Sequence, residues 1–202
     1  MGATAIPEPV RRGRPRSERA HRAILRAAAE LLAERGLRGM SAGDIAARAK
    51  VSKATIYRWW DSKEAVALDA FLAELSGEEA PVPDTGSLAG DLKASLRTRI
   101  RLLARRPVIG RTQAALVAET QTDPRLREAY LAHVMRPLRQ QGRDMFAKAV
   151  DRGEVPADTE VDLALDLIYG ALYHRLFQGH APLDDHFAVA AVDLIVRGLR
   201  RP

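Results

Sequence analysis

The chain of 202 residues is predicted to be all-α. Apolar residues recur at helical spacing through most of its length, while Pro, Gly and N-cap residues fall between those stretches. Nothing reads as a strand, and no repeat of fixed period is present. Composition agrees with a globular chain: 47% of residues are hydrophobic, 29% are charged and none is cysteine. Disulfides and thiolate metal sites are thereby excluded. No window reaches the roughly 18 apolar residues of a bilayer span. Near its start the chain carries RRGRPRSER (Arg11–Arg19) in place of a secretory apolar run, so a cytoplasmic location and no membrane partner are expected.

Residues 1–16, rich in Pro, Gly and Arg and lacking periodicity, read as a disordered basic arm. From Ser17 to Arg35, Ile24, Leu25, Ala28, Leu31 and Leu32 make one helical face, and Gly36 stops it. Ser41 opens the next helix as N-cap, with Asp44 in the capping-box position and Met40 and Ile45 placed for a hydrophobic staple. This helix needs to run only to Ala49. Ser52 then repeats the pattern, with Val51 and Ile56 at the staple positions. Two short capped helices joined by a tight turn predict a helix-turn-helix. Asp61-Ser62 starts a further helix carrying Leu68, Phe71, Leu72 and Leu75 on one face.

The stretch GEEAPVPDTGSLAGD (77–91) reads as a linker. Beyond it the spacing predicts helices over Leu88–Ala104, Val108–Thr120, Pro124–Arg152, Val161–Gln178 and Asp184–Leu199. In the last two, Leu163, Leu167, Gly170, Ala171 and Leu172, then Phe187, Val189, Ala190, Leu194 and Ile195, wrap too broadly for one side of a small domain. Paired with a second copy of themselves they would form a four-helix bundle, so a homodimer through the two C-terminal helices is expected.

Charge is segregated. Residues 1–66 hold 14 Lys and Arg against 7 Asp and Glu, an excess of +7, whereas residues 67–202 hold 18 against 19. A uniform solubilising charge would not divide this way; a polyanion-binding module joined to a neutral one would. Within the basic part lies KVSKATIYRWWDSKEAV (Lys50–Val66), with both tryptophans and no acid from Lys50 through Trp60. The helix opened by Ser52 has no acid in its first turn, which leaves its partial positive charge for an external anion. Small residues at Ser52, Ala54 and Thr55 permit close approach to a surface. Lys53, Tyr57 and Arg58 supply donors for phosphates or base edges, in the geometry of a major-groove recognition helix. Trp60 shares the face of Ile56 and should enter the core. Trp59, about 100° around the helix, should lie nearer the duplex, and Lys63 is placed for a further phosphate.

These residues carry a family resemblance. Ser17–Phe71, through the Ile24–Leu32 helix, the turn Glu34–Gly36 and the string MSAGDIAARAKVSKATIYRWWDSKEAV, resembles the DNA-binding domain of TetR/AcrR-type transcriptional regulators. The remaining residues match in architecture only. The resemblance implies a three-helix DNA-binding domain over 17–62, joined to a helical effector-binding and dimerisation domain over 63–202. It places Ser41, Ser52, Lys53, Ala54, Thr55, Tyr57, Arg58, Trp59 and Lys63 on operator DNA. Lys50 stands where the family often has Gly and so requires a turn that accepts a side chain, and Trp60 replaces a more usual Phe.

The implied function is a homodimeric repressor, released from a near-palindromic double-stranded operator by a small apolar or amphipathic effector. Candidate effector contacts are Leu103, Gln113, Leu116, Val117, Tyr130, Val134, Phe146, Tyr169 and Tyr173. The cluster of Tyr169, Tyr173, Leu176 and Phe177 is explained by core packing or by lining such a cavity. The RGRP of the arm is similar to an AT-hook core and offers Arg14 and Arg16 to a narrow minor groove; an unstructured solubilising tail explains it as well. His174, His180 and His186 lie near Asp184 and Asp185, but no pair has i, i+4 ligand spacing, and they read as surface or interface residues. No GxSxG, GxGxxG, Walker A or HExxH string occurs, so no catalytic residue, cofactor or metal is expected. Two alternatives stand beside the regulator: a sequence-indifferent architectural DNA binder using the basic arm, and an interaction module that has lost DNA binding.

Overall fold

The structure, a computed structural model, describes residues 14–76 and 83–199, with side chains from Glu18 onward. Among them there are ten α-helices and no strand. The first four are α1 (Arg14–Arg35), α2 (Ala42–Ala49), α3 (Lys53–Tyr57) and α4 (Lys63–Leu75). Serine side chains start three of these as expected: Ser41 accepts from the N–H of Asp44, Ser52 from Thr55 and Ser62 from Ala65. The one displaced end is the first. Helix α1 begins at Arg14 and has Pro15 in its opening turn, where a missing N–H breaks no hydrogen bond. Arg14 and Arg16 are thus helical in backbone, which corrects the arm boundary at residue 16. Residues 1–13, the rest of the arm, lie outside the described residues, as do 77–82 of the expected linker.

Helix α1 buries Ile24, Ala27, Ala28 and Leu31 against α2 and α4. Arg48 of α2 holds Glu34 of α1 through two hydrogen bonds of 2.6 and 2.8 Å. That guanidinium keeps the Glu34 carboxyl below its ordinary pKa. Trp60 is 5% exposed and its indole N–H donates to Asp69 of α4 at 2.7 Å. The buried polar end therefore has a partner, as a core indole needs.

The remainder comprises α5 (Leu88–Arg105), α6 (Pro107–Glu119), α7 (Pro124–Tyr130), α8 (Arg136–Asp151), α9 (Val161–Gln178) and α10 (Asp185–Leu199). The sequence predicts one unbroken helix over 124–152. In its place α7 and α8 are joined by a π turn, Leu131–Met135, in which the Arg136 N–H reaches back five residues to the Leu131 carbonyl. Pro137 accounts for the difference: lacking an N–H, it cannot serve the His133 carbonyl four residues back, and its ring needs room there. At the α8–α9 crossing, a Cβ on Gly142 would lie 2.5 Å from Leu165 Cδ2, so any larger residue would require the buried Leu165 side chain to shift.

Arg139 and Arg143 of α8 pair with Asp162 and Asp166 of α9, while Arg97 and Lys93 of α5 pair with Asp185 and Asp193 of α10. The apolar core runs continuously from Ile24 to Val192. Where α4 meets α6, Arg106 pairs with the Glu74 carboxylate and donates to the Glu74 carbonyl at 3.3 Å. No described helix is long and apolar enough to cross a membrane.

Candidate functional site

Helix α3 buries Ile56 completely and turns Lys53, Ala54, Tyr57 and Arg58 outward. These four positions form one helical face, and Tyr57 is 52% exposed. No acid lies in the first turn of α3. Lys53 leans across the first turn of α2, where a Cβ on Gly43 would sit 3.1 Å from Lys53 Cε. Thr55 is half-buried, its hydroxyl 2.9 Å from that of Ser52. Nearby acids are already engaged: Asp44 by Arg35 and Ser41, Glu34 by Arg48. The hydrogen bonds from Ser41 hold the Asp44 carboxyl below its usual pKa. The outward face of α3 thus carries two cations and a phenol on small residues, which suits a phosphate-lined groove.

The turn before α3 depends on Lys50, which takes the left-handed conformation (φ 55°, ψ 46°). The Lys50 N–H donates to Ala47 O at 3.3 Å and the Val51 N–H to Ala46 O at 3.0 Å. This pair of bonds makes a Schellman motif at the end of α2. A lysine there carries the steric cost of a Cβ at positive φ. Lys50→Gly is accordingly expected to stabilise the protein by about 1 kcal/mol, read as a higher Tm; a lower Tm would contradict this account of the turn.

Two of the residues expected to meet DNA also have partners within the chain. Lys63 Nζ donates to the Leu37 and Met40 carbonyls at 3.1 and 3.0 Å, so it braces the start of α4 against the loop before α2 while keeping its charge and a third N–H. The Ser41 hydroxyl is taken up in the capping box with Asp44. Trp59, half-buried, has its ring 5.2 Å from His21 of α1 and edge-on to Trp60 at 5.5 Å, with the Arg58 guanidinium 5.2 Å over it. It borders a cleft with Glu18, His21 and Arg22, between α1 and α3.

A second feature lies in the larger helical part. A cavity of about 340 Å³ is lined by Gln113 and Val117 of α6, Thr120 and Gln121 of the turn that follows it, Arg127 and Tyr130 of α7, Leu131 and Met135 of the π turn, and Tyr173 and Phe177 of α9. Gln113 Nε2 donates to the Tyr130 hydroxyl at 3.1 Å. Burial pushes the Tyr130 pKa up to about 12, the Gln113 bond working against the rise, so this phenol stays neutral at physiological pH.

Two family models match the chain: the description "Bacterial regulatory proteins, tetR family" fits residues 24–70, and "Tetracyclin repressor-like, C-terminal domain" fits residues 82–195. The chain belongs to the TetR family. Among curated TetR-like relatives, an uncharacterized HTH-type transcriptional regulator of Bacillus subtilis, YdeS, is 40% identical over 166 residues, covering 82% of each chain. The DNA-binding transcriptional repressor TetR of Mycobacteroides abscessus is 34% identical over 197 residues, 96% of this chain and 98% of its own. A solved TetR family transcription regulator, SCO0332, superposes with a TM-score of 0.73 at 33% identity, over 90% of this chain and 99% of that one. The protein is therefore a DNA-binding transcriptional regulator of TetR type, and not an enzyme.

Of the nine residues expected to meet an effector in this TetR-family chain, Gln113, Val117, Tyr130 and Tyr173 line the cavity. Leu103, Leu116, Val134 and Phe146 are instead core residues, between 0% and 7% exposed, filling the close-packed interior. The Tyr169 hydroxyl bonds Ser95 at 2.9 Å and takes no place in the lining. Leu131 and Met135 were missed because the π turn sets their direction, and Phe177 was visible in the sequence only as part of an aromatic cluster. Among the described residues no three metal-binding side chains come together.

Proposed function

We propose that two copies of the chain associate through α9 and α10, that the pair represses transcription from a near-palindromic operator, and that a small molecule between α6, α7 and α9 releases it. The observation that carries the reading is the outward, acid-free face of α3 with Lys53, Ala54, Tyr57 and Arg58, seated on a turn anchored by Ile56 and Trp60. Exposed Leu163, Leu167 and Leu194 support pairing, since large apolar side chains 54–74% exposed on adjoining helices suit a second copy. Repression is supported by the relative from Mycobacteroides abscessus, itself named a repressor.

Release requires a path from cavity to α3. Helix α6 contributes both to the cavity and, through Arg106 at its N-terminal boundary, to the link with Glu74 of α4. A ligand that displaces α6 therefore acts on α4 and on the spacing of the two recognition helices. A differential affinity of about 1–3 kcal/mol between the two arrangements is sufficient.

Selection of bound duplexes from a random library tests the reading. An enriched near-palindrome with half-sites about one helical turn apart is the expected result. Equal retention of all duplexes, with salt dependence accounting for all of the binding, would favour the sequence-indifferent alternative; retention of none would leave the interaction module.

A further inference from the structure

Besides Asp91 Oδ2, which lies 3.7 Å from Arg152 Nη2, two buried polar atoms lack hydrogen-bond partners among the described residues: Gln113 Oε1 and the Tyr173 hydroxyl. Both residues line the cavity between α6, α7 and α9. An amide oxygen and a phenol left unpaired away from water are costly, and a ligand in the cavity that both residues line would relieve that cost once their polar ends turn toward it. The remainder of the wall is largely apolar: Val117, Leu131, Met135 and Phe177, the last stacked on Tyr173 at 5.7 Å.

Charge narrows the occupant. No acid lines the cavity, so a buried ammonium would find no counter-charge. The lining cation, Arg127, already donates from Nε to the Thr120 carbonyl at 2.9 Å and from Nη2 to the Gln121 carbonyl at 3.2 Å. Arg99 acts electrostatically on Tyr130 and Tyr169 but is not among the lining residues. A carboxylate could accept from the Tyr173 hydroxyl, but as an acceptor-only group it would leave Gln113 Oε1 unpaired and set two acceptors against each other.

We propose that the ligand of this cavity is an uncharged, mainly apolar alcohol or phenol whose hydroxyl accepts from Tyr173 and donates to Gln113. A hydroxyl is the group that suits both atoms, because it is donor and acceptor at once. It also suits the amide turned end for end: Oε1 would then accept from Tyr130, and the freed Nε2 would donate to the ligand oxygen. The volume of about 340 Å³ is near the lower end for ligand sites and fits a compact body. The inference rests on the reading of this cavity as the effector site and adds the chemistry of the effector.

Calorimetry on the full chain with two matched series provides the test: octane, 1-octanol, octanoate and octylammonium, then naphthalene, 1-naphthol, 1-naphthoate and 1-naphthylmethylammonium. In at least one series the alcohol is expected to bind about tenfold tighter than its hydrocarbon, and tighter than both ions. Tyr173→Phe should reduce alcohol binding about tenfold while leaving hydrocarbon binding unchanged. Tighter binding of a carboxylate or ammonium member, an equal loss of alcohol and hydrocarbon in Tyr173→Phe, or no alcohol binding by protein of native helical content would each overturn the proposal. Operator selection is scored separately: if it fails while the alcohol preference holds, the regulator reading falls and the cavity's ligand class stands.

Discussion

Leu167→Glu is expected to convert the protein from dimer to monomer and to lower its affinity for a two-half-site duplex by a factor of about 10²–10⁴. Leu167 is 54% exposed on α9, beside Leu163 at 57%, with Leu194 of α10 at 74%. A glutamate there meets only water in the single chain, so helical content and Tm of the monomer should stay close to those of the parent chain. In a two-fold pair the same residue appears twice at the seam, and two carboxylates would be desolvated without a cation. Loss of the pair removes the gain from tethering two recognition helices, and a lone α3 of five residues retains only weak, salt-sensitive attachment. Sedimentation measures the first effect and duplex titration the second. A variant that remains dimeric would place the interface elsewhere than α9 and α10.

Local chemistry made much of this architecture legible. Ser41, Ser52 and Ser62 each stand where a helix begins, and each has a side chain that accepts the amide three residues on. Such caps act within one turn, so sequence alone reveals them. The division between the tryptophans was visible for the same reason: Trp60 shares the face of the wholly buried Ile56, whereas Trp59 does not and is left half-buried against His21.

What sequence did not reveal depends on contacts distant along the chain. The bracing role of Lys63 is invisible until folding brings the Leu37 and Met40 carbonyls, 26 and 23 positions earlier, within hydrogen-bond reach. The π turn follows from Pro137, but whether a proline kinks, breaks or merely shifts a helix depends on what packs around it. That shift turns Leu131 and Met135 into the cavity. A cavity lined by three helices has no period in any one of them, and half-exposed leucines on α9 resemble core leucines in spacing alone.

On the outward face of α3, Lys53→Ala and Tyr57→Ala are expected to weaken operator binding in different ways. Lys53 is a point charge on a flexible stem, so its loss should lower affinity for all duplexes alike and reduce the salt slope by about one. Tyr57 brings a donor and an aromatic edge on an exposed helix position about 100° around from the buried Ile56. Its removal should cost about 1–3 kcal/mol on the selected operator and much less on random duplex. Neither side chain carries the fold: Tyr57 is 52% exposed and Lys53 is exposed, so Tm should move by no more than about 0.5 kcal/mol equivalent. Dimerisation should also persist, because both residues lie on α3 and not on α9 or α10. If Tyr57→Ala instead lowered specific and random binding equally, the phenol would be a backbone contact and sequence readout would fall to Arg58. If neither substitution changed affinity while the fold and the dimer remained intact, the α3 face would not be the surface that meets DNA.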